Sequence, residues 1–527
     1  MKNLYKVASL SLVTLLTSCS FFSHSKGYAS GKTYEGHSIK YSFKLEDKQK
    51  VLDCLDETLR LAEEGTDFKA FETSYNKMNS YYVQVSEARE SEDLKYYMYG
   101  KEENQKLGLD FYEILTTIIN KANKIHYAVF ENNFKSSFYG DMTDEEIIDE
   151  IGPKYTDEYY EKNNASKALE AEFNNLDENS PTFNADVTNI YARFVKNNNE
   201  MAKLAGFDNF LDYSYKFYYD RPYQHGATDN FFKYVKNYTY PYFNNLYSTL
   251  SDDIAKLSKT DLNDVRTFVL KNGFTSNFQL IEDYKDYFGG EFKTIFDDCW
   301  YHNNNYYISY EDDAMETAYT SSMNNQPYMF FGKRYEATTI VHEFGHYYDA
   351  VVNENANLCY DLAETHSQAD EMLFINYLKD AKKFSEPAAN VIIDNQVLDT
   401  TSTIIIASMV NEFEKKAYLD DDLTIADINQ YEREVMQAIP MDDYFDFGYY
   451  WRMVTIQSPC YYFSYAASAI GALEVGNFAK SDLRGAIDKY NKLINYNKDA
   501  ANNYLEIYSA AGLTSPFDEV TFKTLFK

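Results

Sequence analysis

Helix breakers are scarce in this chain: its 527 residues include only 9 prolines and 20 glycines. Proline removes a backbone donor and glycine loses the most freedom on folding, so a chain poor in both favours long uninterrupted helices. The patterning agrees. In DKQKVLDCLDETLRLAEEG, residues 47–65, apolar positions recur at intervals of three and four, which lines one face of a helix. Hydrophobic residues make up 45% of the chain, enough to bury a core of this size. A mainly α protein is expected.

Two helical parts are expected, an N-terminal lobe over 41–180 and a larger region over 181–527. The lobe is interrupted at SFYGDMTDEE, where Asp141 or Thr143 can cap the next helix. The turn-rich DENSPTFNAD, residues 177–186, links the two parts. One interval departs from helical spacing. AYTSS, a turn at NNQP and the aromatic run YMFFG read as strands, and a turn over Gly332–Arg334 leads into a helix with Ile340, Phe344, Tyr348 and Val351 on its apolar stripe.

With 82 acidic against 50 basic residues, the net charge of -32 repels nucleic acid and anionic lipid. The 52 tyrosines accompany abundant Asn, Lys, Phe and Ile, a composition that AT-rich coding explains without any ligand. MKNLYKVASLSLVTLLTSCS reads as a targeting segment, with Lys2 and Lys6 ahead of an apolar run too short to span a bilayer. LTSC resembles the lipobox of bacterial lipoproteins. That resemblance implies a signal peptide over 1–18, lipid on Cys19, a polar tether over 19–40, and a location on the outer face of the cell membrane. An ordinary signal peptide is the alternative. Cys54, Cys299, Cys359 and Cys460 form no CxxC pair, and their pairing is left open.

The chemistry concentrates in VHEFGHYYDA, residues 341–350. His342 and His346 stand one helical turn apart, so both imidazoles project from one face and can hold one ion. Glu343 reaches the space beside that ion, where a water would lie. Zinc accepts a tetrahedral N/O set and lowers the pKa of its water from about 15.7 to roughly 7. Affinity alone does not select it over cobalt or manganese. A third protein ligand is required. In CYDLAETHSQADEMLF, residues 359–374, a return helix is expected to supply Glu364, 18 residues beyond His346. Ser367, Gln368 and Glu371 share its face. His366 points elsewhere and reads as a surface or packing histidine. Glu371 and Asp349 are candidates to orient a ligand imidazole by hydrogen bonding.

HEFGH followed by ETHSQADE resembles the thimet oligopeptidase and oligoendopeptidase F family of zinc peptidases. RFVKNNNEMAKLAGFDNFLDYSYKF (193–217), PYMFFG, QSPCYYFSYAASAIGAL (457–473) and AAGLTSPFDE (510–519) extend the resemblance over most of the chain after residue 41, most strongly from about 190 onward. It implies a helical ellipsoid with a deep substrate channel and a small β-sheet beside the HExxH helix. It also implies one Zn2+ held by His342, His346 and Glu364, with Glu343 as the base that activates water against internal bonds of short peptides. Tyr465 takes the position of an oxyanion donor, with Tyr461 and Tyr462 on the same wall. Tyr328–Phe331 matches an edge strand, where Tyr328 and Phe330 would meet an extended peptide by β-augmentation. A buried aromatic core segment is the alternative for that strand.

The family commonly carries a histidine shortly before these tyrosines, but RMVTIQSPC has none, so no catalytic histidine is transferred and Gln457 is left as a substrate-binding candidate. The spacing to Glu364 is also shorter than the family usually shows, which implies a trimmed loop. A monomer acting on short peptides is expected. Two other readings stay open: a surface lipoprotein that binds peptides with little or no catalysis, and a related HExxH metallocarboxypeptidase.

Overall fold

The computed structural model describes residues 41–527 apart from 270–273, 310, 312, 324–325, 334–335, 354–358, 442–443 and 497–503. The expected signal peptide, Cys19 and the tether lie outside the described residues, as do the tip of the NNQP turn and Arg334 before the metal-binding motif. The protein is mainly α, as its patterning predicts. Helices α1 (Lys48–Glu64), α2 (Phe68–Tyr99) and α3 (Glu102–Phe130) pack around Val51, Leu55, Phe71, Val85, Phe111 and Ile118. Thr143 caps the helix that follows, accepting from the Glu146 amide while the Glu146 carboxylate reaches back to the Thr143 amide.

A second, larger core begins at Tyr159. Helix α4 (Asp157–Asn174) contributes Tyr159, Leu169 and Phe173 to it and packs on α5 (Phe183–Leu204). The change of core therefore falls between Ile147 and Tyr159, ahead of the link expected at 177–186.

The sheet has three strands, β1 (Tyr306–Ser309), β2 (Thr317–Met323) and β3 (Gln326–Gly332), in the order β1-β3-β2. Strand β3 runs parallel to β1 and antiparallel to β2, with Phe330 opposite both Tyr307 and Tyr319. This corrects the expectation for Tyr328–Phe331: it is the central strand and has no free edge. Its side chains alternate between two cores. Met329 and Phe331 enter the large core, while Tyr328 and Phe330 face α2 with Leu94 and Tyr97. Phe330 is wholly buried, and the Tyr328 hydroxyl donates to Glu90 at 2.5 Å. Neither is placed to meet a ligand, because packing against α2 consumes the face they present. Both outer strands have an unpaired side among the described residues; β1 is buried along its length, whereas β2 is partly exposed.

Helix α6 (Ala337–Val352) carries the motif and packs on α7 (Tyr360–Asp380), which packs in turn on α8 (Glu386–Tyr418) and α9 (Phe463–Ala479). Ile340, Phe344 and Tyr348 are buried as the stripe requires, but Val351 is 37% exposed, so the buried face ends one turn early. Helix α9 is apolar almost all round, the signature of a helix enclosed by neighbours. Its Gly476 allows close packing on α7, since a Cβ there would stand 3.1 Å from the Met372 Cβ. Cys54, Cys299, Cys359 and Cys460 are all buried and free.

Since Phe330 locks the sheet to α2, Phe330→Ala should lower unfolding stability by roughly 3–5 kcal/mol, measured by equilibrium urea denaturation.

Candidate metal centre

The centre depends on how closely α6 and α7 approach. Gly345 sits between the two histidines, and a Cβ there would stand 2.8 Å from the Ser367 Cα. Only a residue without a side chain lets the helices meet at this distance. One turn before Ser367 on α7, Glu364 is thereby brought over the histidine face of α6. Its Oε2 lies 3.7 Å from His342 Nε2 and 3.7 Å from His346 Nε2. The three ligand atoms fall within 4.8 Å of one another.

The donor set fits a divalent ion. Glu364 Oε1 accepts from the Tyr461 hydroxyl at 2.8 Å, whereas Oε2 is buried without a hydrogen-bond partner. A buried carboxylate oxygen without a donor is costly unless a cation satisfies it. Two imidazole nitrogens and one carboxylate oxygen are a familiar three-ligand set for Zn2+ with a fourth position open. His342 Nδ1 lies 2.6 Å from Glu371 Oε1, and Glu371 Oε2 accepts from Gln396 Nε2 at 2.6 Å. This chain fixes the ring and leaves Nε2 facing the cluster.

Asp349 does not share that task. It lies 3.1 Å from His366 Nδ1 and accepts from Asn353 at 2.7 Å. His366 is fully buried, its Nε2 against the Leu493 carbonyl at 3.0 Å, so it is a packing histidine turned away from the cluster.

Glu343 is 6% exposed and points towards β2, where the Thr320 hydroxyl lies 2.9 Å from its Oε2. Burial pushes this carboxyl up to about 7, against the pull of His342 and Thr320. A group so poised exchanges protons near neutrality. Burial also holds His346 down, to about 4, against the pull of Glu364. For His342 burial acts in the same direction, but the Glu371 contact, with Glu343 and Glu364, outweighs it and raises the ring to about 9.

Sequence patterning missed the clamp that aims Tyr461. The buried Arg221 guanidinium donates to Asp361 Oδ1 at 3.2 Å, the Cys460 carbonyl at 3.0 Å, the Tyr461 carbonyl at 3.3 Å and Ser464 Oγ at 2.9 Å. Cys460 has φ +63, and its amide donates to Glu414 Oε1 at 2.8 Å. Together these hold the turn before α9 in the conformation that points Tyr461 at Glu364. A lone arginine in YYDRPY carries no local signal of this role. Thr320 and Gln396 were missed for the same reason, since each acts across tertiary contacts. Tyr465 and Tyr462 stand beside Tyr461, with Tyr465 ring centroids 5.1 and 5.7 Å from theirs. Gln457 reaches Asn174 at 3.5 Å.

The fold that carries this centre is similar to those of solved peptidase structures. An X-ray structure of an oligoendopeptidase F aligns with a TM-score of 0.71 at 16% identity, over 92% of this chain and 96% of that one. An oligoendopeptidase F from Bacillus anthracis gives 0.67 at 16% identity over the same shares. PZ peptidase A with an inhibitor gives 0.71 at 16% identity, over 92% and 97%. At such identities the likeness is one of fold. No model of a known protein family matches the sequence, and no curated protein does.

Glu371→Gln should weaken metal binding by about 10–100-fold in competition with a chromophoric chelator, because it leaves the His342 ring unanchored. Glu414 gives a test by pH. Burial raises its carboxyl from 4.5 to about 8, so the folded protein holds that proton more tightly than the unfolded chain. Its contribution is full below the unfolded value and is lost as pH rises towards the folded one. Relative to Glu414→Gln, the parent should lose on the order of 1 kcal/mol per pH unit across that window, measured by urea unfolding at pH 5, 6, 7 and 8.

Proposed function

We propose that this protein is a zinc-dependent oligopeptidase that hydrolyses internal bonds of short peptides and is tethered by a lipid outside the cell membrane. The observation that carries the reading is the convergence of His342, His346 and the unpartnered Glu364 Oε2 beside a buried Glu343. The fold likeness to oligoendopeptidase F structures supports it. A divalent ion held by these three side chains would supply Lewis acidity and lower the pKa of water at the site. Glu343 accepts a proton from the attacking water and returns it to the leaving nitrogen, a role suited to a carboxyl poised near neutrality. Thr320 holds its orientation. Tyr465, beside Tyr461, would serve as a donor to the carbonyl oxygen as charge develops there.

Strand β2, in place of Tyr328–Phe331, offers a backbone edge for an extended peptide, and Thr320 on it ties that edge to the base. The tether rests on LTSC and the apolar run before it; no helix among the described residues is long and apolar enough to cross a membrane. Action on folded proteins is not expected, as an extended segment is needed to lie along β2.

Purified protein should cleave quenched peptides blocked at both ends, lose activity to chelator, and regain it with added zinc. Glu343→Gln should bind metal as the parent does while hydrolysis falls at least about a hundredfold. Equal hydrolysis by parent, chelated protein and variant would end the peptidase reading, and cleavage confined to unblocked C-termini would turn it into a carboxypeptidase.

A further inference from the structure

A cavity of about 420 Å3 opens between α4, α5 and the segment 457–461. Tyr461 lines it, and the hydroxyl of the same tyrosine donates to Glu364. One side chain therefore separates the cavity from the metal cluster. Most polar groups on its wall are already matched within the protein. Ser166 bonds with Asn198, and Lys167 Nζ lies 3.3 Å from Thr116 Oγ1 and 5.0 Å from the Tyr112 ring centroid. Glu170 differs. Its carboxylate makes no hydrogen bond or ion pair among the described residues, although burial pushes it up to about 7 against the pull of the Lys167 charge. Tyr218 shares the cavity and is influenced by the Glu170 charge. A carboxylate without a donor beside aromatic rings is matched by a positively charged nitrogen, which can ion-pair and also lie against a π face.

We infer that this cavity is a substrate subsite in which Glu170 receives a cationic group of the peptide, so that the protein favours peptides carrying a positive charge at a set distance from the cleaved bond. Resting on the peptidase reading above, the inference adds a selectivity to it. Two sources supply the same chemistry, an α-ammonium at the peptide's N-terminus and a lysine or arginine side chain. Lys167, one turn earlier on the same face, spends its hydrogen bond on Thr116 and acts on Glu170 through its charge alone, so the carboxylate oxygens remain available to either.

The test uses the full chain with zinc and three series of otherwise identical quenched peptides: N-acetylated without basic residues, free N-terminus without basic residues, and N-acetylated with one lysine moved along the sequence. The ratio of kcat/KM for charged over neutral peptides should exceed one by about tenfold in the best series, the size of one hydrogen bond to a charged group. It should fall towards one in Glu170→Gln. The series that shows the preference identifies the source. In parallel, anisotropy of labelled peptides on Glu343→Gln and on Glu343→Gln with Glu170→Gln reads binding without turnover. An unchanged ratio in Glu170→Gln, or equal affinities in the binding arm, would overturn the subsite. Failure of every peptide to be cleaved would count against the peptidase reading, and the binding arm would still decide on Glu170. Thermal unfolding of Glu170→Gln checks that it remains folded; should it not, Glu170→Asp, which keeps the charge but withdraws it by one methylene, should give an intermediate ratio.

Discussion

The close crossing of α6 and α7 at Gly345 is the constraint on which the centre depends. Two histidines on one helix provide half of a metal site, and the other half must come from a helix lying almost in contact with it. A single methyl at Gly345 would meet the Ser367 backbone, which cannot give way as the end of a flexible side chain could. Pushing the helices apart by even an ångström would part Glu364 Oε2 from the two imidazoles. Gly476 of α9 serves the same end from its own side, letting that helix close on Met372 of α7 in a core filled by its neighbours.

Electrostatics then sets what each group can do. In a chain carrying net charge -32, three carboxylates gather around two imidazoles. Each has a distinct partner: Glu371 takes His342 Nδ1 and Gln396, Glu364 takes Tyr461 and faces the cluster, and Glu343 takes Thr320. The partners keep the three from competing for one position. The consequence is a site in which one carboxylate orients an imidazole, one turns a bare oxygen to the histidine cluster and one stands beside it against Thr320. Farther out, Arg221 performs a mechanical task. By bonding to the carbonyls of Cys460 and Tyr461 it fixes a turn that a cysteine with positive φ would not hold unaided.

The sheet links the two cores. Because side chains alternate along a strand, β3 sends Phe330 into the packing against α2 and Met329 into the large core, so one short strand joins both. Burial of β1 and β3 leaves β2 as the exposed edge, and Thr320 on β2 reaches Glu343. The exposed edge of the sheet is therefore also the part in contact with Glu343 beside the histidine cluster.

Local patterning alone was enough for the helical character of the chain, a capped helix start at Asp141 or Thr143, and the pairing of His342 with His346, since each depends on residues within about one turn of one another. Glu364 and Glu371 were legible as one face of a return helix for the same reason. The tertiary structure decided what strand patterning and spacing leave open: that Tyr328–Phe331 lies at the centre of its sheet, that Val351 is outside the buried face, and that Asp349 serves His366. It alone brought Arg221, Glu414, Thr320 and Gln396 to the site. Contacts between residues tens to hundreds of positions apart are selected by packing of the whole chain, and no periodicity records which strand ends in the middle or which charge finds which partner.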